Sequence, residues 1–226
     1  MKQPFQEIEA KWNVSNAHRT LCELVKTLDP KTKNNSLKPR IRTVQYWDTQ
    51  DYVLAQQNVT IRYILFCIPL KEMTRLDIKW SKPEERYELN VEVKDPKRID
   101  AIITSALADY AHVIPLHPQE KVRPICCAQA VHAKGILQYR GVTLEVKSDV
   151  YNQIEIEDES NHKQNNASLE QIEIELKTKQ PTLKEIDAFY EAVEKIDMQL
   201  ESLCSQSKRM YDQKQTLIFR ALGLIK

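Results

Sequence analysis

The sequence predicts an α+β protein that is mainly β, on three observations. Apolar and polar residues alternate in segment after segment, two helix-spaced stretches interrupt them, and a long amphipathic helix follows near the C-terminus. Alternation of period two sends successive side chains to opposite faces of a strand. It recurs over residues 43–47, 59–66, 75–80, 87–93, roughly 122–131, 142–147 and 171–176. The first interrupting helix, 17–28, carries Leu21, Leu24 and Val25 at helical spacing; the second, 96–110, carries Ile99, Ile102, Ile103 and Leu107. Beyond Pro181, Thr182 and Glu185 form a capping box. Leu183, Ile186, Phe189, Tyr190, Val193, Ile196, Leu200 and Leu203 then continue one apolar stripe over roughly six turns, suited to packing on the domain's own sheet. The polar stretches 29–38 and 158–168 read as solvated loops.

Composition bounds the function. The 226 residues are expected to form a single domain, 1–226, with a real apolar core. Thirty-three Lys and Arg against 32 Asp and Glu leave a net charge of +1, so no overall basic field recruits nucleic acid or an anionic membrane. Apolar runs such as 63–70 fall far short of a membrane span, and the charged N-terminus lacks a signal-peptide core; a soluble cytoplasmic protein is expected. Five cysteines, odd in number and without paired spacing, read as reduced and mostly buried. Three glycines make no phosphate-cradling loop, so phosphate binding would have to use side chains. His18, His112, His117, His132 and His162 are scattered without ligand spacing, and none is assigned a catalytic role.

The charges on the strands carry the functional signal. In Glu7-Ile8-Glu9-Ala10-Lys11, an extended chain puts Glu7, Glu9 and Lys11 on one face and the apolar residues on the other. If the apolar face packs against outer helices, two carboxylates and an ammonium turn inward, which is costly unless something multiply charged sits there. A hard metal ion and a phosphate would suffice. Glu88, Asn90, Glu92 and Lys94 share one parity of their strand, Arg62 stands between Ile61 and Tyr63, Lys79 between Ile78 and Trp80, and Glu173 and Glu175 alternate with Ile172, Ile174 and Leu176. Period alone fits equally a one-sided sheet with its polar face in water.

The ordered set favours the inward reading. Glu7-Ile8-Glu9-Ala10-Lys11, Tyr46-Trp47-Asp48-Thr49, Val59-Thr60-Ile61-Arg62, Leu76-Asp77-Ile78-Lys79, Arg86-Tyr87-Glu88-Leu89-Asn90-Val91, Leu144-Glu145-Val146-Lys147-Ser148-Asp149, Ile172-Glu173-Ile174-Glu175-Leu176 and Ser207-Lys208 follow one another almost end to end. In this order and spacing they resemble the CYTH superfamily, the triphosphate tunnel metalloenzymes. The resemblance implies a closed antiparallel eight-stranded β-barrel with a charged lumen and helices packed outside, including C-terminal helices over about 182–221. It implies divalent-metal-dependent hydrolysis of a small triphosphate, inorganic triphosphate being the first candidate. Class IV adenylate cyclase, RNA 5′-triphosphatase and a catalytically silent binder of phosphorylated ligands are the alternatives.

By the same resemblance Glu7, Glu9, Glu173 and Glu175 would hold Mg²⁺ or Mn²⁺, since all-oxygen ligation selects hard cations. Glu88 and Asp149 would be the further acidic residues of the reaction. Lys11, Arg62, Lys79, Arg123 and Lys208 would bind phosphate oxygens. The chain departs from the pattern at Ile64, where a second arginine is common; Arg75 or Lys94 could supply that charge. Arg140 rivals Arg123, and Glu155 and Glu157 imitate Glu173 and Glu175. The implied partner is the small-molecule triphosphate, with no membrane, no nucleic acid beyond an RNA 5′ end, and a monomer or homodimer as the assembly.

Overall fold

The structure is a computed structural model that describes residues 5–6, 8–30, 37, 39–68, 71–82, 85–112, 114, 116, 120–157, 164–165, 168–178, 180–204 and 207–226. The alternating segments become long strands: β3 (Arg40–Asp48), β4 (Thr60–Ile68), β5 (Lys71–Lys82), β6 (Glu85–Glu92), β7 (Arg123–Tyr139), β8 (Val142–Ile156) and β10 (Leu169–Leu176). Four short strands join them: β1 (Phe5–Gln6), β2 (Glu9–Asn13), β9 (Gln164–Asn165) and β11 (Lys208–Met210). Beyond residues 29 and 30, 37, 164–165 and 168, the two expected polar loops lie mostly outside the described residues.

All strands belong to one antiparallel sheet in the order β1-β6-β5-β4-β3-β7-β8-β10-β2-β11, with β9 beside β8. The sheet curls into an open half-barrel, and the expected closed eight-stranded barrel is not formed. The register gives the reason. One edge of β2 pairs with β10, while β11 takes the other through Lys208↔Asn13, Arg209↔Trp12 and Met210↔Lys11, so the edge that would have met β6 is already occupied. Only the two residues of β1 reach β6. Because β1 and β2 are neighbours in the chain yet pair at opposite ends of the sheet, the N-terminal segment still draws those ends together, and Arg86 of β6 pairs with Glu9 of β2.

The outer face is apolar and carries helices. Over β2, β8 and β10, Trp12, Leu144, Val146, Ile172 and Ile174 pack with α1 (Ala17–Leu28) and α4 (Leu183–Leu203). The α4 stripe buries Phe189, Val193, Ile196 and Leu200, and the Thr182–Glu185 capping box closes its N-terminus as the sequence predicts. Over β4 to β6, Ile61, Leu76, Ile78, Trp80 and Leu89 pack with Ile99, Ile103 and Ala106 of α3 (Ile99–Asp109). Burying each large side chain contributes roughly 1.5–3 kcal/mol, so the outer face supplies the favourable term against which a charged inner face is set. Among the described residues no helix is long and apolar enough to cross a membrane. Cys126 is buried and Cys22, Cys127 and Cys204 half-buried, all as free thiols.

A third apolar cluster lies inside the curl. Tyr46 and Val44 are register partners of Arg62 and Ile64 and so share their face. They pack with Tyr151 and with Ile218 and Phe219 of α5 (Lys214–Ala221), a helix that the sequence reading does not single out. Gln215 fixes it by accepting from Ile61 N at 3.0 Å and donating to Asp48 Oδ2 at 2.9 Å, beside the short helix α2 (Val53–Gln56), whose Leu54 and Ala55 amides also donate to Asp48. This places α5 against the inner face, with Lys214 in its first turn beside the charged residues.

Candidate functional site

The remaining inner face is charged and lines a cavity of about 710 Å³. Nine Lys and Arg side chains and five Asp and Glu side chains line it, so the net field favours a polyanion. The basic side is built on β3, β4 and β5. There Arg62 and Asp77 are register partners, and Arg75 stands two residues before Asp77 on the same face. Asp77 is fully buried. Arg62 Nε donates to its Oδ2 at 3.0 Å, Arg75 Nη2 donates to the same oxygen at 2.9 Å, and Arg75 Nε lies 2.6 Å from Oδ1. Burial alone would raise the Asp77 carboxyl, but Arg62 and Arg75 hold it below the usual carboxylate range. Next along, Lys79 Nζ lies 3.4 Å from Glu88 Oε2 across the β5–β6 pair.

The acidic side is built on β8, β10 and β2. Cα register aligns Glu145, Glu175 and Glu9 in one row and Lys147, Glu173 and Lys11 in the next. Lys147 Nζ donates to Glu173 Oε1 at 2.8 Å and to Glu175 Oε2, and lies 3.3 Å from Glu145 Oε1. Burial pushes the Glu173 carboxyl up, yet Lys147, Lys214 and Lys11 outweigh it and hold it well below the usual range; Glu145, likewise surrounded by Lys147, Lys134 and Lys177, is lowered to about 2. Lys11, fully buried and paired with Glu9, is pulled down to about 8 by desolvation. Asp149 joins the two sides. Its Oδ1 accepts from Arg42 Nη2 at 2.6 Å and lies 2.8 Å from His132 Nδ1, while its Oδ2 accepts from Lys214, whose Nζ also lies 3.0 Å from Glu173 Oε2.

Arg62, Lys79, Glu88, Asp149, Glu173 and Glu175 all line this cavity. Glu9 and Lys11 are buried beside it, joined to it through the rows above. Glu7 lies outside the described residues. Arg123 is exposed at the start of β7, opposite Asp48, and does not line the cavity. Its rival Arg140 turns outward to Glu191 of α4. The arginine bound to Asp149 is instead Arg42. Lys208 is exposed on β11, and the lysine near the C-terminus that reaches the cavity is Lys214. Glu155 is exposed and Glu157 accepts from Gln45, so neither shares the cavity with Glu173 and Glu175. Arg75 does line the cavity, as the register partner of Ile64; Lys94 is exposed. Ile64 is fully buried in the apolar cluster under α5, where a guanidinium would lack a partner. Sequence reasoning missed Arg42, His132, Lys134, Lys147, Lys177 and Lys214. Arg42 and Lys147 lie at the same parity as recognised residues of their strands, and that parity was the available signal.

The fit of a hard divalent cation can be tested on the acidic rows. Glu145, Glu173, Glu175 and Glu9 offer oxygen donors alone, and Glu9 Oε2 is buried without a hydrogen-bond partner. That donor set suits Mg²⁺ or Mn²⁺. As arranged, no group of three acidic, His or Cys side chains among the described residues is set to hold a metal ion, and the point shared by Glu145, Glu173 and Glu175 is taken by Lys147 Nζ.

No protein-family model matches the sequence, and no curated protein does. Solved structures do match. A candidate adenylate cyclase from Bacillus halodurans superposes with a TM-score of 0.58 at 14% identity, covering 96% of this chain and 99% of that one. A candidate adenylate cyclase from Vibrio parahaemolyticus gives 0.54 at 11%, covering 98% and 99%. HpAC1 from Hippeastrum, a candidate adenylyl cyclase with a dominant triphosphatase activity, gives 0.50 at 17%, covering 95% of each chain. In fold, the chain is a CYTH protein.

Proposed function

We propose, from the CYTH fold and the charged cavity, that the chain binds a small triphosphate and hydrolyses its terminal anhydride in a divalent-metal-dependent reaction, with inorganic triphosphate as the first substrate to test. The observation that carries this reading is the cavity lining itself, in which nine Lys and Arg outnumber five Asp and Glu inside a water-shielded curl. Arg62, Arg75 and Lys79 grip phosphate oxygens from one side. Arg42 and Lys214 do so from the floor, held in place by Asp149, so Asp149 acts by positioning. Lys11 sets the charge beside Glu9. Glu88, restrained by Lys79 at 3.4 Å, is the carboxylate placed to orient an attacking water. Glu9, Glu173 and Glu175, with Glu7, would hold Mg²⁺ or Mn²⁺, which when bound supplies Lewis acidity and neutralises developing phosphate charge. Phosphoryl transfer needs positioning and charge stabilisation more than a protein nucleophile, which suits a lining without a reactive serine or cysteine.

The test is incubation of the purified chain with Mg²⁺ or Mn²⁺ and either triphosphate or ATP, with products identified. Orthophosphate from triphosphate is expected. Cyclic AMP and pyrophosphate from ATP would replace this reading by the cyclase, and binding of triphosphate without turnover across a substrate panel would replace it by a silent binder.

A further inference from the structure

Lys147 stands on the acidic side yet carries the opposite charge. The row Glu145, Glu175, Glu9 sets three carboxylates opposite one another on adjacent strands, an arrangement that like charges make unfavourable. Lys147 lies one row along, and its Nζ reaches Glu145, Glu173 and Glu175 together. Its side chain is 15% exposed and lines the cavity, so it contacts the ligand space while its tip is held among carboxylates. An ammonium is a compact point charge on a flexible four-carbon stem, and it can leave such a position by bond rotation alone. The donor set around it is the one a hard divalent ion would use.

We propose that the Lys147 ammonium is a built-in counter-ion that competes with the divalent cation for the Glu145–Glu173–Glu175 cluster, and that cation binding turns it into the cavity as an additional phosphate ligand. This rests on the proposed metal-dependent reading of the same cavity. It has two consequences. The cation binds weakly by itself, because it must displace an ammonium already paired with three carboxylates. Cation and triphosphate then strengthen each other's binding, because the displaced ammonium finds a new partner in the polyanion, and such coupling is reciprocal.

The experiment measures Mn²⁺ binding to the full chain by calorimetry with no phosphate compound present. Lys147→Met should bind Mn²⁺ about ten-fold tighter or more than the unsubstituted chain, the change expected when a competing unit charge is removed at a cost near 1.4 kcal/mol. Equal or weaker binding by the variant would overturn the proposal, as would absence of Mn²⁺ binding by both chains. Since Lys147→Met leaves carboxylates facing one another and can impair folding, the unsubstituted chain supplies a second readout. Amine acetylation followed by mass spectrometry should show Lys147 labelled several-fold faster with saturating Mn²⁺, and an unchanged rate at proven Mn²⁺ occupancy would also overturn the proposal. Orthophosphate release from triphosphate is scored separately, so failure of the functional reading is distinguishable from failure of the lysine competition.

Discussion

The basic side of the curl, on β3 to β5, and the acidic side, on β8, β10 and β2, solve one electrostatic problem by different means. Each carries at its centre a residue of the opposite sign. On the basic side it is Asp77, fully buried and gripped by the planar forks of Arg62 and Arg75. On the acidic side it is Lys147, at the end of a flexible stem and partly exposed to the cavity. A short carboxylate between two guanidiniums fixes the geometry of its neighbours, whereas a lysine among three carboxylates neutralises them without fixing where its own charge must stay. The charged interior is therefore sustained mainly by counter-ions within each side, with Asp149 alone among the resolved pairs tying β8 to both β3 and α5. One side is preorganised to grip an anion; the other is free to exchange cations.

The largest effect should come from breaking the rigid side. Asp77→Ala leaves the buried Arg62 without its partner, and removal of one member of a buried ion pair costs about 3–5 kcal/mol. Urea denaturation should read that loss directly, and a change under about 1 kcal/mol would show that the basic side is not organised around Asp77. A smaller, functional effect is expected from Arg62→Lys. The charge survives but the fork does not, and losing a charge-assisted hydrogen bond of about 1.5–3 kcal/mol should weaken triphosphate binding roughly ten- to hundred-fold. Unchanged affinity would remove Arg62 from the phosphate grip.

The acidic side should announce itself in the pH dependence of stability. Glu145, Glu173 and Asp149 all have folded pKa values below their unfolded ones, so each contributes stability that is present above the unfolded carboxylate range and lost as pH falls through the folded values. The melting temperature should fall as pH drops from about 4.5 towards 2. Lys11 runs the other way. Its folded pKa, about 8, is below its unfolded value, so between pH 8 and 10.5 the unfolded chain binds more protons and this group's contribution to stability rises with pH. The difference in Tm between the unsubstituted chain and Lys11→Met should grow by about 2–4 °C between pH 7.5 and 9.5, and a flat difference would mean that Lys11 is not desolvated.

The outer face was legible in the sequence and the inner face only in part, for a physical reason. Helices and strands follow from local periodicity: α1 spans the predicted residues 17–28, and the Thr182 cap starts α4 where expected. The parity of Glu173, Glu175, Arg62, Lys79 and Glu88 likewise follows from period two, and all five line the cavity. What local period does not encode is which edge meets which. Barrel closure failed because three residues of β11 occupy the edge of β2, and nothing in Lys208-Arg209-Met210 marks that pairing. Arg42 was missed because the strand was begun at Thr43 instead of Arg40. Lys214 was missed because α5 is short, begins at Gln213 without a side-chain cap, and acquires its place from tertiary packing of Ile218 and Phe219.

The pair Lys208 and Lys214 turns that last point into the smallest but most discriminating comparison. Motif order puts the phosphate-binding lysine at Lys208, the first after the long helix, whereas three-dimensional placement puts it at Lys214, buried against Asp149 and Glu173. Lys208 is exposed beside Asn13. Surface substitutions away from such networks usually change stability by no more than about 0.5 kcal/mol, so Lys208→Ala should leave both Tm and triphosphate affinity within error. Lys214→Ala should lower both, because two buried carboxylates lose a shared counter-ion. If Lys208→Ala instead weakens triphosphate binding while Tm holds, then β11 swings its lysine over the cavity when the ligand binds. The edge that keeps the half-barrel open would then be a working part of the acidic side, and the contrast between a rigid basic side and an exchangeable acidic one would have to include a moving strand.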